Sequence, residues 1–307
     1  CWPVYHDLRS RMVSRLVQLS DAPKVACLLG SGTCAKDVML QQIKAKHGKA
    51  LGLVCSNGEF GERLIQQALS LGLRFRVYAE DWGQCFQAER LAAYAQDTTW
   101  MAAVHGETST GCLNGLSLFT DHKTRAQPDY TLAMDCVSSF GALPFSLANV
   151  DFASATSGKV LGALAGLSMV FYHQAVETPA EQGTYCQLAC YDGQTPFTLP
   201  AYLLANVLAA LAAYPQRYAD LAQHLHTVLH HPLLQQHAIH TQHYPTAISY
   251  QLPAVWRQNA ALNGLLLHQN SAYLQQRLWS QISTIQPHFT EDFAALDVWL
   301  RQLQRVL

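Results

Sequence analysis

Charge is scarce in this sequence: 13% of its 307 residues are charged, and 20 basic against 21 acidic side chains leave a net charge of −1. With no basic excess to neutralise a phosphate backbone, no nucleic-acid partner is expected. Long hydrophobic runs are missing too. The most apolar stretches, 160–170 and 203–213, fall short of the roughly 18 residues that cross a bilayer, so no membrane partner is expected. There is no C-x-x-C pair, and nine cysteines in a chain this long read as reduced thiols of a cytoplasmic protein rather than a disulfide framework. The opening residues CWPVYHDLRS are not a signal peptide, and because the chain opens on Cys1 rather than Met, preceding residues are expected.

Apolar side chains are plentiful, at 50% of residues, which excludes disorder and allows one large α/β domain or two domains sharing a core. The first half alternates short apolar runs with amphipathic stretches. Strands are expected at 24–29, 50–55, 73–79, 100–104, 130–134, 151–155 and 167–172, with helices at 34–46, 61–71 and 85–95. Strands apolar at nearly every position and joined by helices imply a mostly parallel sheet covered on both faces. After about residue 185 the pattern changes to helices at 199–214, 217–229 and 291–307, with weaker strand signals at 246–252 and 280–285. The expected organisation is a large α/β domain over 1–185, with an N-terminal helix, and a smaller α+β domain over 186–307.

Ligands of such sheets bind beyond the carboxyl ends of the strands, and four post-strand segments carry possible chemistry. The first strand runs into Gly30-Ser31-Gly32-Thr33 and a helix, where small residues let N–H groups and hydroxyls face an anion. A tight strand–helix turn needs glycine for geometry alone, so this motif is weak by itself. The fourth strand ends in HGETSTG (105–111), either a polar site or a capped helix start. The fifth ends in Asp135, an acid that needs a cation or donor if buried. The sixth leads through Thr156-Ser157-Gly158 to Lys159, set before the apolar run VLGALAGLSMVF, where a desolvated lysine is favoured over a snorkelling one. A phosphate cradle, an acid and a desolvated lysine at neighbouring strand ends are what pyridoxal phosphate requires.

The ordered set GSGT, SNGEFGERL, HGETSTG, MDCVSSFGALP, TSGK and PFTLP, spanning residues 9–200, resembles the class V aminotransferases of pyridoxal-phosphate fold type I. Within that class it is most similar to the group of alanine–glyoxylate and 2-aminoethylphosphonate transaminases. The resemblance implies a large domain with a mostly parallel seven-stranded sheet, a smaller α+β C-terminal domain and a homodimer with shared active sites. It makes Lys159 the Schiff-base lysine and proton shuttle, and pairs Asp135 with the pyridine nitrogen. Ser31, Gly32 and Thr33 would hold the phosphate, Phe60 would stack on the ring, and Thr108 would lie near the 3-oxygen. Thr198 would reach the phosphate of the neighbouring subunit. Small amines and oxo acids are the implied substrates.

Departures from the family pattern bear on the substrate. The side-chain amide that usually precedes the lysine is Gly158 here, leaving a phosphate contact to Ser157 or water. Gln281 stands where family members carry a carboxylate- or phosphonate-binding arginine, and whether Arg277, four residues away, or another residue replaces it is left open by the sequence. Family members also close an N-terminal segment over the substrate, for which these residues show no counterpart.

Two other groupings are weighed and set aside. Seven histidines fall between His224 and His243, with His226 and His230 on one helix face, but no acid or cysteine lies near and Pro232 breaks the run. No metal is expected. Cys186 and Cys190 read as core thiols. A lyase or decarboxylase on the same fold, or a non-catalytic relative acting as a binding module, are the alternative readings. A desulfurase is disfavoured because every cysteine lies at or before Cys190.

Overall fold

Strand residues of the first half are apolar on both sides because helices cover both faces of one sheet. The computed structural model describes residues 2–173, 176, 185–192, 197–239, 244–257, 266–286 and 288–304. The chain opens on α1 (Trp2–Ser20) and β1 (Lys24–Leu29), followed by α2 (Gly32–His47), β2 (Gly52–Ser56), α3 (Glu59–Ser70), β3 (Phe75–Ala79), α4 (Ala88–Tyr94) and β4 (Trp100–Val104). A small hairpin, β5 (Gly106–Glu107) and β6 (Cys112–Leu113), leads to α5 (Leu116–Arg125), β7 (Thr131–Asp135), β8 (Phe152–Thr156) and β9 (Leu167–Tyr172). The seven-stranded sheet runs β1-β9-β8-β7-β4-β2-β3. Pairings from β3 through to β8 are parallel, and β9 runs antiparallel between β8 and β1. The carboxyl ends of β1, β4, β7 and β8 therefore share one edge.

Alternation along each strand divides the core into two layers. Met101, Ala103, Leu132, Met134, Ala153 and Phe171 face one side, with Met12 and Leu16 of α1. Trp100, Ala102, Val104, Ala133, Phe152 and Val170 face the other, against Val38 and Met39 of α2. Gly52 sits beside Trp100 across the β2–β4 pairing, and a Cβ there would lie 1.9 Å from the indole ring. Because ring and strand are fully buried, Gly52→Ala should lower stability by about 1–3 kcal/mol through overpacking. Urea denaturation checks this; an unchanged midpoint would show that the indole shifts freely.

The remaining elements are α6 (Ala201–Ala212), α7 (Tyr214–Leu229), α8 (Pro232–Gln235), β10 (Ala247–Tyr250), α9 (Ala254–Arg257), β11 (Leu267–His268), α10 (Ala272–Arg277), β12 (Ser280–Ser283) and α11 (Phe289–Gln304). Strands β10, β12 and β11 form a three-stranded antiparallel sheet in that order. It has its own core, in which Ile248, Tyr250 and Ile282 meet Val228, Leu234, Phe293 and Leu296. Leu204 and Val207 of α6 instead join the core of the large sheet.

Three expected strands match in both bounds, at Lys24–Leu29, Trp100–Val104 and Leu167–Tyr172. The β5–β6 hairpin was not expected, since two-residue strands show no period. Its turn closes at Gly111, whose φ of +75° and backbone 2.7 Å approach to the Ala247 carbonyl, measured from a would-be Cβ, suit glycine. The expected 85–95 helix begins at Ala88, and α11 is described to Gln304, so 305–307 lie outside the described residues. No helix among the described residues is long and apolar enough to cross a membrane.

Candidate active site

At the shared carboxyl edge of β1, β4, β7 and β8 lies a cavity of about 360 Å³. It brings together seven of the residues singled out above: Ser31, Gly32, Thr33, Phe60, Thr108, Asp135 and Lys159.

Ser31 is the N-cap of α2 in extended conformation, and its hydroxyl makes no capping bond. The first N–H groups of that 16-residue helix have no intrahelical acceptor and face the cavity with the hydroxyls of Ser31 and Thr33. Gly32 is required by close approach: a Cβ there would come within 2.5 Å of the Val137 side chain. The result is a small, electropositive cradle suited to a phosphate.

Phe60 and Thr108 are held by one network. Glu107 is fully buried and accepts the N–H groups of Phe60 at 3.4 Å, Gly61 at 3.0 Å and Ser109 at 3.1 Å. Ser109 Oγ donates to Glu107 at 2.5 Å and accepts the Glu59 N–H at 2.9 Å. Burial pushes the Glu107 carboxyl up to about 7, against the pull of these donors. The HGETSTG segment thus caps a helix, as its plain reading allows, but the helix is α3, some fifty residues earlier. That capping sets Phe60 in the cavity wall. Thr108 Oγ1 is buried there with no partner, a hydroxyl waiting for a polar atom inside the cavity.

Asp135 ends β7 at 4% exposure. Its Oδ1 accepts the Val137 N–H at 2.9 Å and the Ser154 hydroxyl at 3.0 Å. Its Oδ2 lies 3.4 Å from Nζ of Lys36, a buried lysine on α2 that also lines the cavity. Lys36 escaped the sequence reading, although a lysine among the buried Ala35, Val38 and Met39 was a visible signal. Arg63 is the other cation missed. It lies one turn beyond Glu59, to which Nε donates at 2.8 Å, with its guanidinium 5.3 Å from the Phe60 ring centre.

Three expectations need correction. Lys159 is exposed rather than desolvated, because the turn after β8 sends Val160 and Leu161 into the core and leaves Lys159 facing the cavity. Ser157 is not in the cavity wall: its hydroxyl donates to the Leu164 carbonyl at 2.6 Å and accepts the Leu167 N–H at 3.2 Å, closing its own loop. Arg277 does not replace the missing arginine, since its guanidinium lies 3.2 Å from the Trp82 ring centre and outside the cavity wall. Gln281 does come to the site. Its Nε2 donates to the Thr108 carbonyl at 2.7 Å, the Ser109 carbonyl at 3.2 Å and Ser249 Oγ at 2.8 Å, tying β12 to the segment that carries Thr108. Thr198 is exposed and does not line the cavity of its own chain.

The rings of His226 and His230 are exposed and stack 4.0 Å apart, and His240 and His243 lie outside the described residues. Among the described residues no group of three or more His, Cys, Asp or Glu could hold a metal ion.

These residues fit pyridoxal phosphate: a helix N-terminus with two hydroxyls, an unpartnered hydroxyl, an aromatic wall, an acid and an accessible amine.

No protein-family profile matches the chain. It is 33% identical over 220 residues to a 2-aminoethylphosphonate–pyruvate transaminase of Pseudomonas putida strain W619, covering 63% of this chain and 58% of that one. It is 31% identical over 246 residues to the enzyme of that name from P. putida strain KT2440, covering 70% of this chain and 65% of that one. The matched region is thus less than two thirds of the length of these relatives. Among solved structures, an aspartate aminotransferase of Thermus thermophilus superposes with a TM-score of 0.81 at 22% identity, covering 98% of this chain and 92% of that one. An alanine–glyoxylate aminotransferase of Nostoc sp. gives 0.79 at 22% identity, with 98% and 88% covered.

Proposed function

We propose that this chain, a homologue of the 2-aminoethylphosphonate–pyruvate transaminases built on the fold type I scaffold of the class V aminotransferases, is a pyridoxal-phosphate-dependent aminotransferase. It would move an amino group from a small primary amine or amino acid to an oxo acid or aldehyde. The observation that carries this is the single cavity that gathers Ser31, Gly32, Thr33, Phe60, Thr108, Asp135 and Lys159 from five separate segments.

Pyridoxal phosphate supplies a carbonyl that takes up the donor nitrogen and a ring that draws electrons from the adjacent carbon. The chain does the rest. The α2 N-terminus with Ser31 and Thr33 would hold the phosphate, and Gly32 lets that turn pack against Val137. Phe60 would lie against the ring, and the Thr108 hydroxyl would be the donor for its oxygen. Nζ of Lys159, exposed at the cavity wall, would hold the cofactor carbonyl and would be the base for the proton at the substrate carbon. Arg63 at the cavity wall supplies a cation for an acidic substrate group.

The same reading makes the molecule a homodimer in which exposed Thr198 meets the phosphate of the neighbouring site, with domains at 1–185 and 186–307. Eight free cysteines among the described residues support a cytoplasmic location.

The test is half-reaction exchange. Purified protein loaded with pyridoxal phosphate should convert to the pyridoxamine form with a small amine donor, seen as loss of its violet absorption. An oxo acid should restore that absorption. Release of ammonia without cofactor conversion across a donor panel would replace the transaminase reading with the lyase one.

A further inference from the structure

Lys36 is used by nothing in the function proposed above, yet it is buried in the cavity wall. A lysine with 5% of its side chain accessible needs a partner. Asp37, next to it in the chain, takes Gln67 Nε2 at 2.6 Å. Its ion pair is with Asp135, at 3.4 Å and with both side chains almost wholly out of solvent. Oδ1 of Asp135 already accepts two hydrogen bonds, and Oδ2 is the oxygen that faces Lys36.

Resting on the cofactor reading, we propose that Lys36 is the built-in counter-ion of Asp135, so that bound pyridoxal phosphate meets a neutralised acid and keeps its ring nitrogen unprotonated at neutral pH. A protonated ring would place a second cation on a carboxylate that holds one, beside the ammonium that holds it. Two cations sharing one buried carboxylate repel each other, which disfavours the second protonation. An unprotonated ring is a weaker electron sink, so proton removal at the substrate carbon leans more on Lys159. Lys36 is a positioning residue: it sets the charge of Asp135 and acts on the cofactor through it.

The experiment follows ring-¹⁵N-labelled pyridoxal phosphate by NMR on wild type, Lys36→Met and Lys36→Arg, with cofactor affinity titrated in parallel. Wild type and Lys36→Arg should show the unprotonated ring resonance. Lys36→Met, whose Asp135 lacks a cation, should show the protonated one and bind the cofactor about tenfold more tightly, the worth of one charge-assisted hydrogen bond. A protonated ring in wild type overturns the proposal. So does weaker binding by Lys36→Met with no change at the ring, which would place the Lys36 ammonium on the phosphate. Should Lys36→Met fail to fold, the wild-type and Lys36→Arg resonances decide. Saturable binding absent from all three folded proteins would be a different failure, overturning the cofactor reading and this proposal with it.

Discussion

Lys159→Ala should abolish covalent capture of pyridoxal phosphate: borohydride is expected to fix the label in wild type and to leave none on the variant. Amine exchange should fall by about 10³-fold or more, since on the proposed function one side chain would both anchor the cofactor and carry the proton. The fold should be untouched. Lys159 is exposed in the turn after β8 and its neighbours Val160 and Leu161 hold that turn from inside, so denaturation midpoints should agree within about 0.5 kcal/mol. A variant that keeps its labelling would move the attachment point to another amine, and Lys36 is the amine in the same cavity. A variant that keeps its exchange activity without labelling would remove the lysine from the chemistry altogether.

Asp135→Ala has the larger effect on stability. It leaves the Lys36 ammonium buried without a counter-charge, and it strands the Val137 N–H and the Ser154 hydroxyl. Breaking a buried ion pair from one side destabilises by about 3–5 kcal/mol. The double variant Lys36→Met/Asp135→Ala removes both charges and should recover most of that loss, so urea denaturation of the four proteins in a cycle reports the pair directly. Equal losses in the single and double variants would show that Lys36 finds water once Asp135 is gone. The cycle is run without cofactor, so it tests the pair independently of what the cavity binds.

Much of the site was legible because of where the motifs fall relative to the strands. In a parallel sheet every carboxyl end lies at one edge, so Ser31, Asp135 and Lys159 meet once their strands are recognised. Strand bounds matched at the fully buried Trp100–Val104 and at the edge strand Lys24–Leu29 alike. The buried β2 and the edge strand β3 each begin two residues later than expected, so burial alone does not decide where an apolar run turns into a strand. Phe60 and Thr108 were placed by resemblance alone. The network that positions them runs through Glu107 and Ser109, and nothing local predicts that those two cap a helix begun at Glu59.

Sequence by itself determined the layered α/β architecture, the edge of the sheet that carries the site and the small-residue cradle at Ser31–Thr33, since each follows from local period and backbone sterics. Tertiary structure alone decided how the polar side chains pair. Lys36 and Asp135 stand 99 positions apart and meet only because α2 packs over β7 and β8. Gln281 comes to Thr108 through strand pairing in a second sheet, and Ser157, promising in its motif, spends its hydroxyl closing its own loop. A buried polar group takes whichever partner the packing brings within hydrogen-bond reach, and that choice is made in space, not along the chain.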